Sequence, residues 1–213
     1  MLTLDDIWRR LTTEDIGFFP HGRREKIPTV PGVYAWFLPL RVNKGPDELL
    51  SLYRNISAYD AGCRGLAKWS TQDAGFRWDP LSVEVSRGVS VQLPPAAQQY
   101  WSAISADLVV RDVFRQALFT ATIFSRPLYV GLTNNLSRRY HNHLSGAPGQ
   151  NDFHSRFTDY MKAIGEALTL EQLLFACVPI RRSNDHNADM TEEQIALLES
   201  MLKVICQPVF GDK

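Results

Sequence analysis

The sequence predicts a mixed α+β protein: a small, mainly antiparallel three-stranded sheet flanked by helices, with an inserted helical and hairpin block. Three observations carry that expectation. Short aromatic and β-branched runs occur at 32–38 ("GVYAWFL"), 128–132 (in "PLYVGL") and about 173–180 (the second half of "LEQLLFACVPI"), which is how strands read. Longer stretches between them set apolar residues at helical spacing. A hydrophobic content of 45% over 213 residues suffices for a packed core.

Taken in order, residues 3–12 read as a short helix capped by Thr3, with Asp5 and Asp6 in its first turn. The following "DIGFFPHGRREKIPTVPG" is broken by Pro20, Gly22, Pro28 and Pro31 and reads as loop. The strand 32–38 is bounded by Pro31 and Pro39. Residues 39–126 then form a structured block. "PDELLSLYRNISAYDAG" sets Leu49, Leu50, Tyr53 and Ile56 at helical spacing. "LSVEVSRGVSVQL" alternates around Ser86-Arg87-Gly88 as a hairpin does. The stretch 96–124 carries one or two helices with a buried face. After the strand 128–132 come a helix at 136–144, a Gly/Pro loop at 145–151, a helix near 153–168 and the third strand. Last, "TEEQIALLESMLKVICQ" opens on a Thr191/Gln194 capping box and sets Ile195, Leu198, Met201, Leu202 and Ile205 on one helical face. Pro208 ends that helix.

Charge and cysteines narrow the classes. Lys plus Arg and Asp plus Glu both number 23, for a formal net charge of zero, so bulk charge does not hold the chain on a polyanion. Any such binding is local, or assisted by a second copy or a protein partner. The opening segment lacks the uninterrupted apolar stretch of a signal peptide, and no apolar run approaches membrane-spanning length. Cys63, Cys177 and Cys206 are far apart without a CxxC pair, which suits a reducing cytoplasm. The expectation is a cytoplasmic protein away from membranes.

The densest chemistry lies in "RPLYVGLTNNLSRRYHNHLSG", 126–146. Arg139 and His143 stand four apart and share a helix face; Arg138 points about 100° away from Arg139. A guanidinium beside an imidazole suits a phosphodiester, because one grips phosphate oxygens and the other moves a proton near neutral pH. On these residues alone a solvated basic helix face fits equally well. His141 and His143 diverge and have no third soft ligand nearby, which disfavours zinc. Glu199 flanks the apolar stripe of the last helix. It is either simply exposed or a carboxylate for a divalent cation. Tyr34 and Tyr129 alone read as packing residues with a hydroxyl handle.

Together these pieces resemble the GIY-YIG nuclease superfamily. "GVY" (Gly32-Val33-Tyr34) stands where that family has its first triplet and "YVG" (Tyr129-Val130-Gly131) where it has its second. Arg139 follows Gly131 at the spacing of the family's phosphate-binding arginine, with Leu136 at the apolar position before it. His143 matches a histidine found in some branches. Glu199 and Pro208 fall in the register of the metal-binding glutamate and the proline after its helix. The resemblance covers roughly 29–38 and 127–211, and it divides the chain into an N-terminal helix and arm (1–28), a GIY-YIG-like core (29–38 plus 127–213) and an insertion (39–126). Three features depart from the family pattern: the insertion, Leu132 where several members carry lysine, and Gly211 in place of the usual asparagine.

The resemblance implies hydrolysis of DNA phosphodiesters with one Mg²⁺, for which Mn²⁺ can substitute, in restriction, phage defence or repair. It implies Glu199 as metal ligand, Arg139 as the clamp on the scissile phosphate and Tyr34 as activator of the attacking water. His143 then serves as proton acceptor or as the base itself, and Tyr129 positions water or phosphate. Gly131, Asn135, Arg138 and His141 are assigned to substrate binding. Gly211 leaves the asparagine's role to Asp212 or Asn135, or marks a catalytically weak nucleic-acid-binding or complex-forming subunit on the same scaffold. The arm "HGRREK" and the insertion are where substrate preference is expected.

Overall fold

The computed structural model describes residues 17–42, 45–64, 95–145, 152–180 and 192–210. Its sheet contains β1 (Gly17–Phe19), β2 (Gly32–Phe37), β3 (Tyr129–Thr133) and β4 (Leu174–Pro179) in the order β1-β4-β2-β3. Every neighbouring pair is antiparallel, with Tyr34 opposite both Gly131 and Cys177, and Trp36 opposite both Tyr129 and Phe175. Opposed residues share a sheet face. Tyr34, Trp36, Tyr129, Gly131, Phe175 and Cys177 therefore lie on one side, and Ala35, Phe37, Leu174 and Ala176 on the other.

The three predicted strands form within about a residue of their expected limits, and the antiparallel α+β class is as read. Among the described residues the sheet has four strands, not three. The segment read as loop contains β1, which pairs Phe18 with Ala176, and a 3₁₀ stretch, His21–Lys26. A three-residue edge strand is too short to display a period, so its signal is lost among the neighbouring prolines.

The described helices are α1 (Pro46–Arg64), α2 (Ala97–Ala106), α3 (Leu108–Thr120), α4 (Leu136–Ser145), α5 (Asp152–Ile164) and α6 (Glu192–Cys206). Helix α4 starts where it does because Asn135 caps it: its Oδ1 accepts the backbone N–H of Arg138 at 2.8 Å. It buries Leu136, Tyr140 and His143, the i, i+4, i+7 stripe of a core-facing helix. Those residues cover the tyrosine face, where Trp36 stacks on Tyr140 at 5.3 Å and meets the edge of Phe175 at 5.0 Å. On the other face Phe119 and Ile123 pack against Phe37, Leu174 and Ala176. Helix α5 stops at Ile164, short of the expected 168, because Gly165 takes the left-handed conformation, φ 73°.

Helix α6 packs against β3, but rotated from the expected face. Met201 and Ile205 are exposed, as are Leu197 and Val204. Leu198, Glu199, Leu202, Lys203 and Cys206 are half-buried instead. Beyond α6, Val209 and Phe210 donate backbone N–H groups to the carbonyls of Pro127 (3.0 Å) and Leu128 (2.8 Å), fixing the helix exit beside the start of β3. Helix α3 also departs from expectation: it buries no residue, and Val109, Val110 and Val113 are exposed.

Two compact units emerge, one of Met1–Leu40, Gln116–Met161 and Ala167–Lys213, the other of Arg41–Arg115 and Lys162–Glu166. The second takes in most of the predicted insertion. There α1 packs against α2, the buried Trp101 meets the edge of Phe114 at 5.9 Å, and Arg115 Nε donates to the Val42 carbonyl at 3.1 Å. The expected helix at 3–12, the hairpin around 86–88, the side chains of Thr191 and Ile195, and Gly211 lie outside the described residues. Among the described residues, no helix is long and apolar enough to cross a membrane.

Candidate functional site

Two glycines make the site sterically possible. A Cβ on Gly131 would lie 2.7 Å from Tyr34 Oη and 2.8 Å from Tyr129 Cε1. A Cβ on Gly32 would lie 2.6 Å from Leu136 Cδ1 and 2.7 Å from the Val178 carbonyl oxygen. Real side chains do not tolerate such approaches. Gly32 thus seats α4 on β2, and Gly131 leaves room for the two phenol rings.

Tyr34 sits at the centre, only 1% exposed. Its ring stacks between Tyr129 (5.9 Å) and Phe175 (5.6 Å). Arg139 Nε donates to Tyr34 Oη at 2.9 Å, and the same oxygen lies 3.1 Å from His143 Nε2. The guanidinium can only donate, so the phenol oxygen accepts there; in the tautomer that leaves His143 Nε2 unprotonated, the phenol's own proton is directed at the imidazole. His143 is walled in by Tyr129 at 5.5 Å and by Phe153, whose ring it meets edge-on at 4.7 Å.

This packing sets the charges. Burial, then the Arg139 cation, lower the His143 pKa to about 3, so the imidazole is neutral at pH 7. Burial, then the neighbouring Tyr129, raise the Tyr34 phenol, with Arg139 opposing them, and Tyr34 keeps its proton. For Arg139, burial works against the charge, but the hydrogen bond it gives to Tyr34 and the two phenols outweigh it, and the guanidinium stays cationic. Among the described residues no carboxylate pairs with it.

Arg139 also lines an open cleft of about 360 Å³ with Leu132, Thr133, Asn134, Arg138 and Asn142. Among the described residues the lining holds two guanidiniums and no acid. Asn134 and Asn142 were not singled out by sequence reasoning, although Asn142 follows Arg138 by four and Arg139 by three residues, the spacing that puts all three on one side of α4.

The structure thus joins four predicted catalytic residues, Tyr34, Tyr129, Arg139 and His143, around one hydroxyl, and puts Arg138 at the adjoining cleft. Two of the residues assigned to substrate binding have structural duties: Asn135 caps α4, and Gly131 makes room for the phenols. His141 is exposed, lies against the edge of Tyr140 and does not line the cleft. Glu199 stands on the half-buried side of α6, where its carboxylate pairs with Lys203 at 3.0 Å; no described contact joins it to Tyr34, Tyr129 or Arg139.

Among the described residues, no group of three or more His, Cys, Asp or Glu is placed to hold a metal ion. A single partly exposed carboxylate is the donor set a hydrated Mg²⁺ accepts, since that ion keeps most of its waters and takes its remaining ligands from one or two carboxylates and a substrate phosphate. Glu199 fits that description, with Lys203 as the partner such an ion would displace.

In comparisons with known proteins, the chain matches no family model, no curated protein and no solved structure.

Proposed function

We propose that this protein is a metal-dependent DNA endonuclease of the GIY-YIG type, hydrolysing phosphodiester bonds at the cleft lined by Arg139, beside Tyr34. The observation that supports this most is the single buried hydroxyl bonded to a guanidinium at 2.9 Å and an imidazole at 3.1 Å, at the edge of a cleft with two arginines and no acid. A half-buried cation that no carboxylate among the described residues pairs with is prepared for an anion from outside, and a planar guanidinium matches a phosphate.

In this reading Arg139 holds the scissile phosphate and stabilises the charge that builds on it. A water beside the phosphate gives its proton to Tyr34 Oη as the phenol passes its own to His143 Nε2. The imidazole is neutral and, with Nε2 unprotonated, is positioned to accept it, although burial and Arg139 make it a weak base in the absence of substrate. The bound phosphate also offsets the Arg139 charge that helps depress His143, which makes the ring a better base when substrate is present. Tyr129, stacked on Tyr34, orients it. Mg²⁺ at Glu199, when bound, supplies Lewis-acid stabilisation of phosphate oxygens.

A second reading is a nucleic-acid-binding or complex-forming subunit that does not cut, favoured by the Glu199–Lys203 pair, which occupies the proposed metal ligand. Incubation of supercoiled plasmid with Mg²⁺ or Mn²⁺, against an EDTA control, separates the two. The nuclease reading expects metal-dependent nicking, lost in Arg139→Ala and in Glu199→Ala. Binding without nicking supports the second reading, and nicking that survives both substitutions refutes the assignment.

A further inference from the structure

The two adjacent arginines of α4 are held in different directions. Arg139 is half-buried and turned toward Tyr34, to which it donates through Nε at 2.9 Å. Arg138 is exposed and folded back over the turn between β3 and α4, where its Nη2 donates to Asn134 Oδ1 at 3.1 Å. The anchors are well separated. Tyr34 pairs with Gly131 in the sheet, and Asn134 follows Gly131 by three residues, about 10 Å along an extended chain. Both side chains nonetheless line the same open cleft, joined there by Thr133 and Asn142. Each guanidinium has five N–H donors and gives one to its anchor, so each retains donors for a ligand.

We infer that Arg138 and Arg139 grip successive phosphates of one nucleic-acid strand, with Asn134 as the residue that positions Arg138. This rests on the nuclease reading and adds to it a division of labour between the two arginines. Arg139, tied to the phenol and imidazole, acts on the phosphate that reacts. Arg138, tied to a turn with no proton-transfer group, contributes binding to the neighbouring phosphate. The cleft accordingly takes a polynucleotide strand, because a mononucleotide presents no second phosphodiester to Arg138. The site thereby gains grip locally, as a chain of zero net charge requires.

The test is binding of the full chain to a fluorescent DNA duplex in EDTA across a KCl series, alongside steady-state cleavage in Mg²⁺. Each lost phosphate contact on duplex DNA reduces the slope of log K against log salt by about 0.9. Arg138→Ala is expected to lose that increment and to raise KM about tenfold, whereas the loss in Arg139→Ala falls mainly in kcat. Arg138→Lys, which keeps the charge, restores the slope. Asn134→Ala weakens binding about threefold with the slope retained, since the arginine is present but no longer braced. An Arg138→Ala protein with the parental slope, or with its loss confined to kcat, overturns the inference. If the parent nicks plasmid and Arg138→Ala keeps the full slope, the two-phosphate grip fails and the nuclease reading stands. If the parent binds with the predicted slope change but never nicks, the nuclease reading fails and the grip stands. A parent with no affinity for DNA ends both.

Discussion

Replacing His143 by glutamine probes the buried relay through stability rather than activity. Packing of the imidazole among Tyr34, Tyr129, Trp36 and Phe153 keeps it neutral, with its pKa lowered to about 3 by burial and then by Arg139. In the unfolded chain the same ring titrates near the ordinary value of about 6.5. Between those values the unfolded chain binds a proton that the folded protein does not. The depressed pKa therefore favours folding above about pH 6.5, and that stability is lost as the pH falls toward 3. Each pH unit well inside the window costs about 1.4 kcal/mol, and the slope is only half that at its upper edge, so acidification from about pH 6.5 to about pH 4.5 removes about 2 kcal/mol through this residue alone. Other acid-sensitive groups act in parent and variant alike, and the difference between the two proteins isolates the ring. Urea unfolding followed by tryptophan fluorescence measures it. His143→Gln, which cannot titrate, starts less stable near neutrality, and its deficit shrinks by about 2 kcal/mol at the acid end. A deficit that stays constant across that pH range would refute the claim that the imidazole is buried and neutral.

Two further predictions concern the cleft. Gly131→Ala places a methyl group 2.7 Å from Tyr34 Oη; thermal denaturation is expected to show a loss of about 1–3 kcal/mol, with nicking reduced as the hydroxyl is displaced from Arg139 and His143. Arg139→Lys is expected to lose about 100-fold or more in kcat despite its charge, because an ammonium cannot reproduce the planar fork that reaches Tyr34 and a phosphate together; near-parental kcat would show that charge alone suffices.

Much of this architecture was legible in the residues. The strands at Gly32–Phe37 and Tyr129–Thr133 announce themselves by dense aromatic and β-branched content between breakers, and α4 by its polar turn and the Leu136, Tyr140, His143 stripe. The i, i+4 spacing of Arg139 and His143 was enough to put them together. Nothing local revealed that both reach Tyr34, more than 100 positions earlier; only the resemblance of the two triplets brought that side chain in. The steric reason for Gly32 and Gly131 needs coordinates, because it depends on Leu136 and on the phenol rings across the sheet. The α6 face was misread for a physical cause. Leu197, Met201, Val204 and Ile205 form one apolar stripe and Leu198 and Leu202 lie on another, so periodicity alone cannot choose which packs on β3. The observed choice leaves the first stripe exposed and turns Glu199 and Lys203 toward the half-buried side. Asn135 has a duty the sequence pattern did not reveal: its side chain caps the N-terminus of α4.

The claim at the centre of this account is that the Tyr34 hydroxyl, between Arg139 and His143, takes part in phosphodiester cleavage. The most direct measurement is the single-turnover cleavage rate of a labelled DNA duplex in Mg²⁺ by the parent and by Tyr34→Phe, which keeps the ring between Tyr129 and Phe175 and removes only the oxygen. The predicted result is a folded variant that binds DNA and cuts about 100- to 1,000-fold more slowly. Equal rate constants for the two proteins would contradict it.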